Sequence, residues 1–263
     1  MPKTKSELLF EELLKERGFK FIKGENYFKK GKKCPDYYVK TKYGNIICEV
    51  KEFVEPEIHK MIHKVKVISF SSKRILNPIR NKINTASGQL KPHAKNKIPM
   101  IVILSNPYGY FADLGNEEIS SAMYGEIGMS IPLTGDKEKE PELFFGRDGV
   151  LTNQKKYVSA VCVLEYLPIS SKKIDEISKG IKEEYKDEEM SFDLVNKMGK
   201  KLLGEVESLK KKGLIRERKA LRLRVFHNIR ANIKLPKEMF NSKYDENISL
   251  MKAKNHPFLQ NNS

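Results

Sequence analysis

Residues 35–53 read PDYYVKTKYGNIICEVKEF, and the layout of that stretch decides the fold. Asp36–Thr41 and Ile46–Phe53 are rich in aromatic and β-branched residues, and Lys42-Tyr43-Gly44-Asn45 between them has turn chemistry. The stretch therefore reads as an antiparallel hairpin. Successive strand residues point to opposite faces, so Glu49 and Lys51 share one face while Cys48 and Val50 share the other. With Lys42–Asn45 as the loop, Thr41 pairs with Ile46, Tyr38 falls opposite Glu49 and Asp36 falls opposite Lys51. That register gathers Asp36, Glu49 and Lys51 on one face, and a slip of one residue would send Asp36 to the other side.

On the N-terminal side, Leu8, Leu9, Leu13 and Leu14 with Phe10 set a helical period over Ser6–Arg17. Ser6 is the expected N-cap and Gly18 the stop. Lys20–Lys30 reads as extended chain turning at Gly24, followed by a basic loop through Gly31. Beyond the hairpin, Glu55–Ile83 suggests helix broken near Pro78, and Arg80–Leu90 a helix that leads through Pro92 to a buried strand, Met100–Ser105. A helix followed by so apolar a run predicts a β-α-β crossover. Residues 106–155, punctuated by Gly and Pro, read as loops and short elements, and Tyr157–Leu167 as another apolar strand with Cys162 packed inside it. Ser171–Leu221 is helical in pattern, Leu221–Phe226 alternates like a returning strand, and Phe258–Ser263 resembles a frayed end. The expected fold class is α/β: a mixed central sheet flanked by helices, with a helical C-terminal arm. The expected divisions are 1–170 as core, 171–221 as helical arm or insertion, and 222–263 as returning strand and tail.

The chain has 263 residues, 39% apolar and 32% charged, enough for one large domain or two small ones. Met100–Leu104, its longest strongly apolar run, falls far short of the roughly 20 residues a membrane span needs. The charged opening MPKTKSELLFEELLKERGF has no signal-peptide core, and three cysteines without paired spacing indicate neither a disulfide framework nor a zinc site. A cytoplasmic protein is the resulting expectation. The net charge is +16, and residues 1–100 hold 23 Lys/Arg against 10 Asp/Glu, or +13, leaving 27 against 24, or +3, for the remainder. A field so one-sided favours a polyanionic partner, nucleic acid first among them.

Two carboxylates and an ammonium at one end of a hairpin are costly unless something uses them. A hard divalent cation resolves the repulsion of the carboxylates, and Mg²⁺ takes one or two of them together with waters and substrate phosphate. Asp36 and Glu49 are thus candidate metal ligands, the Val50 carbonyl offers a further metal contact, and Lys51 can orient an attacking water or balance developing charge. Lys29, Lys30, Lys32 and Lys33 stand just before Asp36, where they would hold phosphates at the mouth of the site. His59 and His63 have helical i, i+4 spacing but no third ligand, and read as a solvent- or DNA-facing pair.

The order helix, strand, Pro-Asp strand, Glu-x-Lys strand, helix, strand over residues 5–105 resembles the core of the PD-(D/E)xK nuclease superfamily, the restriction-endonuclease-like fold. The resemblance implies Asp36 and Glu49 as metal ligands, Lys51 as the catalytic lysine, Gln89 on the helix after the third strand as a candidate to position substrate or lysine (a plain polar residue near a helix end being the equal alternative), and an acidic residue on the first helix turned toward the metal. Gly18-Phe19 at the helix end places Glu7 in that position by the pattern of archaeal Holliday-junction resolvases, with Glu11 one turn further on as the second choice. It further implies a Mg²⁺-dependent nuclease, Mn²⁺ substituting, that acts on DNA as an endonuclease of restriction, repair or defence type and works as a homodimer. The alternative is a catalytically inactive nucleic-acid-binding protein that retains the fold.

Overall fold

The computed structural model describes residues 3–28, 34–53, 72–108, 114–130, 142–169, 172–212 and 218–248. Helix α1 (Lys5–Glu16) starts one residue earlier than its pattern suggests. Its N-cap is Thr4 and not Ser6: the Thr4 side chain accepts from the Glu7 N–H while the Glu7 carboxylate accepts from the Thr4 N–H. Thr4 wins because it stands three residues before a glutamate, the spacing a capping box needs. Leu9, Phe10, Leu13 and Leu14 form the buried stripe, Leu8 is 52% exposed, and Gly18 follows the helix with φ +67°.

Strand β1 (Lys20–Lys23) is shorter than the extended segment expected, because Gly24–Tyr27 winds into a single helical turn, α2. The predicted hairpin is present as β2 (Tyr37–Thr41) and β3 (Gly44–Glu52), antiparallel to each other, with β1 antiparallel to β2. Its register differs from the sequence expectation. Thr41 pairs with Gly44 and Tyr38 with Ile47, so the turn is Lys42-Tyr43 alone. The Thr41 hydroxyl donates to the Gly44 carbonyl at 2.8 Å and accepts from the Tyr43 N–H at 3.1 Å, and Gly44 has φ +122°, which closes the tighter turn. The slip is by two residues and leaves every side chain on its predicted face.

Helix α3 (Ser72–Leu90) runs unbroken through Pro78. Leu76, Ile79, Ile83, Ala86 and Leu90 are buried along one side of it, and that packing offsets the lost backbone hydrogen bond. A 3₁₀ segment, Lys91–Asn96, leads into β4 (Met100–Ser105), which lies parallel to β3 and is wholly buried. The crossover and mixed sheet expected from the sequence are both present. The chain continues through α4 (Asn116–Tyr124), a small antiparallel pair β5 (Ile127–Ser130) and β6 (Glu142–Phe145), and β7 (Val158–Ile169), parallel to β4. After helices α5 (Lys172–Glu184) and α6 (Phe192–Lys211), β8 (Arg218–His227) and β9 (Glu246–Ile248) complete a seven-stranded sheet of order β1-β2-β3-β4-β7-β8-β9.

The chain divides into two compact units, Met1–Glu165 with Arg222–Ser263, and Tyr166–Leu221. The first holds the sheet and a core built from β3, β4, β7, α3 and α4, including Ile47, Ile79, Ile83, Val102, Leu104, Met123 and Val161. The second is a helical pair in which Ile181 and Leu194 are buried and Lys201 donates to Glu184 at 2.5 Å. Among the described residues, no helix is long and apolar enough to cross a membrane.

Candidate functional site

The site forms where β2 begins and β3 runs on past it. Tyr37 opens β2 opposite Cys48, so Asp36, one residue earlier, lies along the flank of β3 at Glu49 and Val50. Asp36 Oδ2 accepts a hydrogen bond from the Val50 N–H at 2.7 Å, and the Lys51 ammonium donates to Glu49 Oε1 at 2.5 Å. A strand residue directs its N–H and C=O to the same edge, so the Val50 carbonyl shares the edge that carries Asp36. Glu49 is fully buried, and its Oε2 has no hydrogen-bond partner. The three ionisable residues predicted to share a face thus meet, with Asp36 against Glu49 and Val50 and not opposite Lys51.

A cavity of about 460 Å³ opens here, lined by Thr4, Glu7, Gly24, Cys34, Asp36 and Lys51 among others. Burial and the neighbouring Asp36 push the Glu49 carboxyl up to about 8, against the pull of Lys51. Burial also raises Asp36, opposed by the Val50 N–H and Lys51 and reinforced by Glu7. Burial, then Asp36 and Glu49, raise the Cys34 thiol. Two carboxylates that resist ionisation side by side, one with an unmatched oxygen, suit a hard divalent cation. Among the described residues, no three His, Cys, Asp or Glu side chains converge as a metal-binding group, so the carboxylate set is this pair.

The two helix acids part company. Glu7 lines the cavity with its Oε2 held by the Thr4 N–H at 2.6 Å. Glu11 is buried elsewhere, accepting from Tyr37 Oη at 2.9 Å and from Lys3 Nζ at 2.6 Å. Burial works to raise the Glu11 carboxyl, but those two donors outweigh it and hold it below its usual value. Gln89 lines a separate depression with Asn84, Thr85 and Gly88. Lys29, Lys30, Lys32, Lys33, His59 and His63 lie outside the described residues.

Sequence reasoning missed two residues. Lys82 on α3 borders the buried stripe beside Ile79 and Ile83 and reaches toward the end of β3, its ammonium 6.0 Å from the centre of the Phe53 ring. The helical period marks it as a border residue, but not which strand end it meets. The other is Gly24, whose N–H donates to the Asp36 carbonyl at 2.8 Å. A Cβ there would fall 1.6 Å from the Pro35 carbonyl oxygen, so α2 presses directly on the Pro35–Asp36 segment. Gly24→Ala is expected to cost about 1–3 kcal/mol of stability, read as an earlier urea-unfolding midpoint. Gly88→Ala, where nothing lies within 4 Å of an added Cβ, should cost nothing or stabilise the helix.

In comparisons with family models, curated proteins and solved structures, the chain finds no match.

Proposed function

We propose that the chain is a Mg²⁺-dependent nuclease of PD-(D/E)xK type that hydrolyses DNA phosphodiester bonds, acting as an endonuclease. The observation that carries this reading is the meeting of Asp36, Glu49 and Lys51 at the open end of the hairpin, with the buried Glu49 Oε2 unpartnered. The element order α1-β1-α2-β2-β3-α3-β4, with an antiparallel meander and a parallel fourth strand, supports it as well.

Asp36, Glu49 and the Val50 carbonyl would hold Mg²⁺, or Mn²⁺ in its place; such an ion, when bound, polarises a phosphodiester and lowers the pKa of a coordinated water. Lys51 lines the cavity and keeps its ammonium against Glu49, from which it can reach a phosphoryl oxygen and balance charge developing there. The Val50 N–H fixes the Asp36 carboxylate, so the acid need not reorganise when substrate enters. Glu7 lines the cavity wall and would orient water there. The basic balance of residues 1–100 supplies the attraction for a phosphate backbone. Pairing as a homodimer would let two such sites act on the two strands.

Incubating the purified chain with supercoiled plasmid and Mg²⁺ or Mn²⁺, then mapping the ends, tests this reading. Nicked or linear product that disappears with EDTA is expected. Salt-sensitive DNA binding without cleavage of plasmid, linear or branched DNA would overturn hydrolysis in favour of a binding module.

A further inference from the structure

The lysines of the described residues are not alike in what neutralises them. Lys3 donates to Glu11 at 2.6 Å, Lys5 to the Pro107 carbonyl at 3.1 Å and Lys51 to Glu49 at 2.5 Å, while Lys23 lies 3.9 Å from Glu25. Among the described residues, Lys82 has no anionic or carbonyl oxygen within bonding distance, and its recorded contact is the Phe53 ring. It is half-buried on the border of α3, on the side that packs over β3. Burial and the Lys51 ammonium both disfavour its charge, with only Glu52 opposing them. The Phe53 ring that Lys82 meets stands two residues beyond Lys51 on the same face of the extended chain, and a phosphate is the ligand that would serve both cations together.

We propose that Lys82 binds the phosphodiester next to the one held at Lys51, so that the end of β3 and the middle of α3 grip two successive phosphates of one nucleic-acid strand. The inference rests on the proposed nuclease reading for its choice of ligand, and it deepens that reading by assigning a subsite. Because Lys82 stands apart from the carboxylate pair, it acts in substrate binding. Its loss therefore weakens affinity and raises KM while leaving kcat close to its starting value.

Binding of a labelled duplex oligonucleotide, measured in EDTA over a series of salt concentrations, tests the assignment without requiring cleavage. Lys82→Ala should weaken binding about tenfold and lower the slope of log affinity against log salt by about one, as expected for one lost phosphate contact. Lys82→Arg should restore both. Lys91→Ala, on the exposed 3₁₀ segment, controls for loss of charge alone. Affinity and slope equal to the unaltered chain would overturn the proposal, as would an equal loss from Lys91→Ala. A chain that never cleaves DNA but shows the Lys82 effect would sink the nuclease reading and leave this one standing.

Discussion

If the chain is the proposed nuclease, Asp36→Asn and Lys51→Ala should each slow Mg²⁺-supported DNA cleavage by at least about a hundredfold, or about 2.7 kcal/mol of transition-state stabilisation, while the fold persists. The two variants fail for different reasons. An amide at position 36 can still accept from the Val50 N–H, so the local backbone holds, but the negative charge for a metal is gone. Because burial already makes the Asp36 carboxylate resist ionisation, the neutral side chain costs no stability, and the unfolding midpoint should stay level or rise. Lys51→Ala removes the ammonium that bonds Glu49 and leaves that carboxylate buried without its cation. It should lower stability as well as activity, and most of the stability loss should appear above about pH 8, where Glu49 is ionised and its buried charge loses its partner. Single-turnover cleavage and thermal unfolding of the same samples separate these outcomes. Cleavage undiminished in both variants would remove this pair from the chemistry.

Stability of the metal-free chain is expected to fall as pH rises from about 5 to about 8. Glu49 has its carboxyl raised to about 8 in the folded chain, against an ordinary value of 4.5. In that window the folded state holds a proton that the unfolded state has released. The stabilisation is therefore complete below the unfolded value and is lost as pH passes the folded one. The slope cannot exceed about 1.4 kcal/mol per pH unit for one group, and Asp36, raised in the same direction, adds to it at the acid end. Urea unfolding in EDTA at several pH values reads the slope directly, and Glu49→Gln should remove most of it. Adding Mg²⁺ should recover more stability at pH 8 than at pH 5, because the ion competes with a proton at the lower pH. A flat profile in the unaltered chain would contradict the placement of Glu49.

The hairpin was legible because its information is local. Alternation assigned faces, and a period of two made the face prediction immune to the two-residue register slip at Thr41–Gly44. The buried strand Met100–Ser105 and the crossover before it were equally readable, since a run that apolar has few other places to go. Pro78 misled because its cost is local while the burial that repays it, along Leu76, Ile79 and Ile83, is tertiary. The cap misled for the opposite reason: Ser6 and Thr4 both suit the role, and Glu7 chose between them. Lys82 and Gly24 were out of reach, since each matters through a neighbour more than ten residues away whose position depends on the completed sheet.

The helical unit spans Tyr166–Leu221, and the residues that flank it touch: Arg222 and Glu165 form an ion pair at 2.6 Å. Departure and return are therefore neighbours in space, and the excursion is in effect one long closed loop. Closing a loop costs only about 0.6 kcal/mol more for each doubling of its length once the ends are fixed. A graft at this point is thermodynamically cheap across a wide range of sizes, which leaves natural variation free to lengthen, shorten or replace it while the cluster of Asp36, Glu49 and Lys51 keeps its geometry.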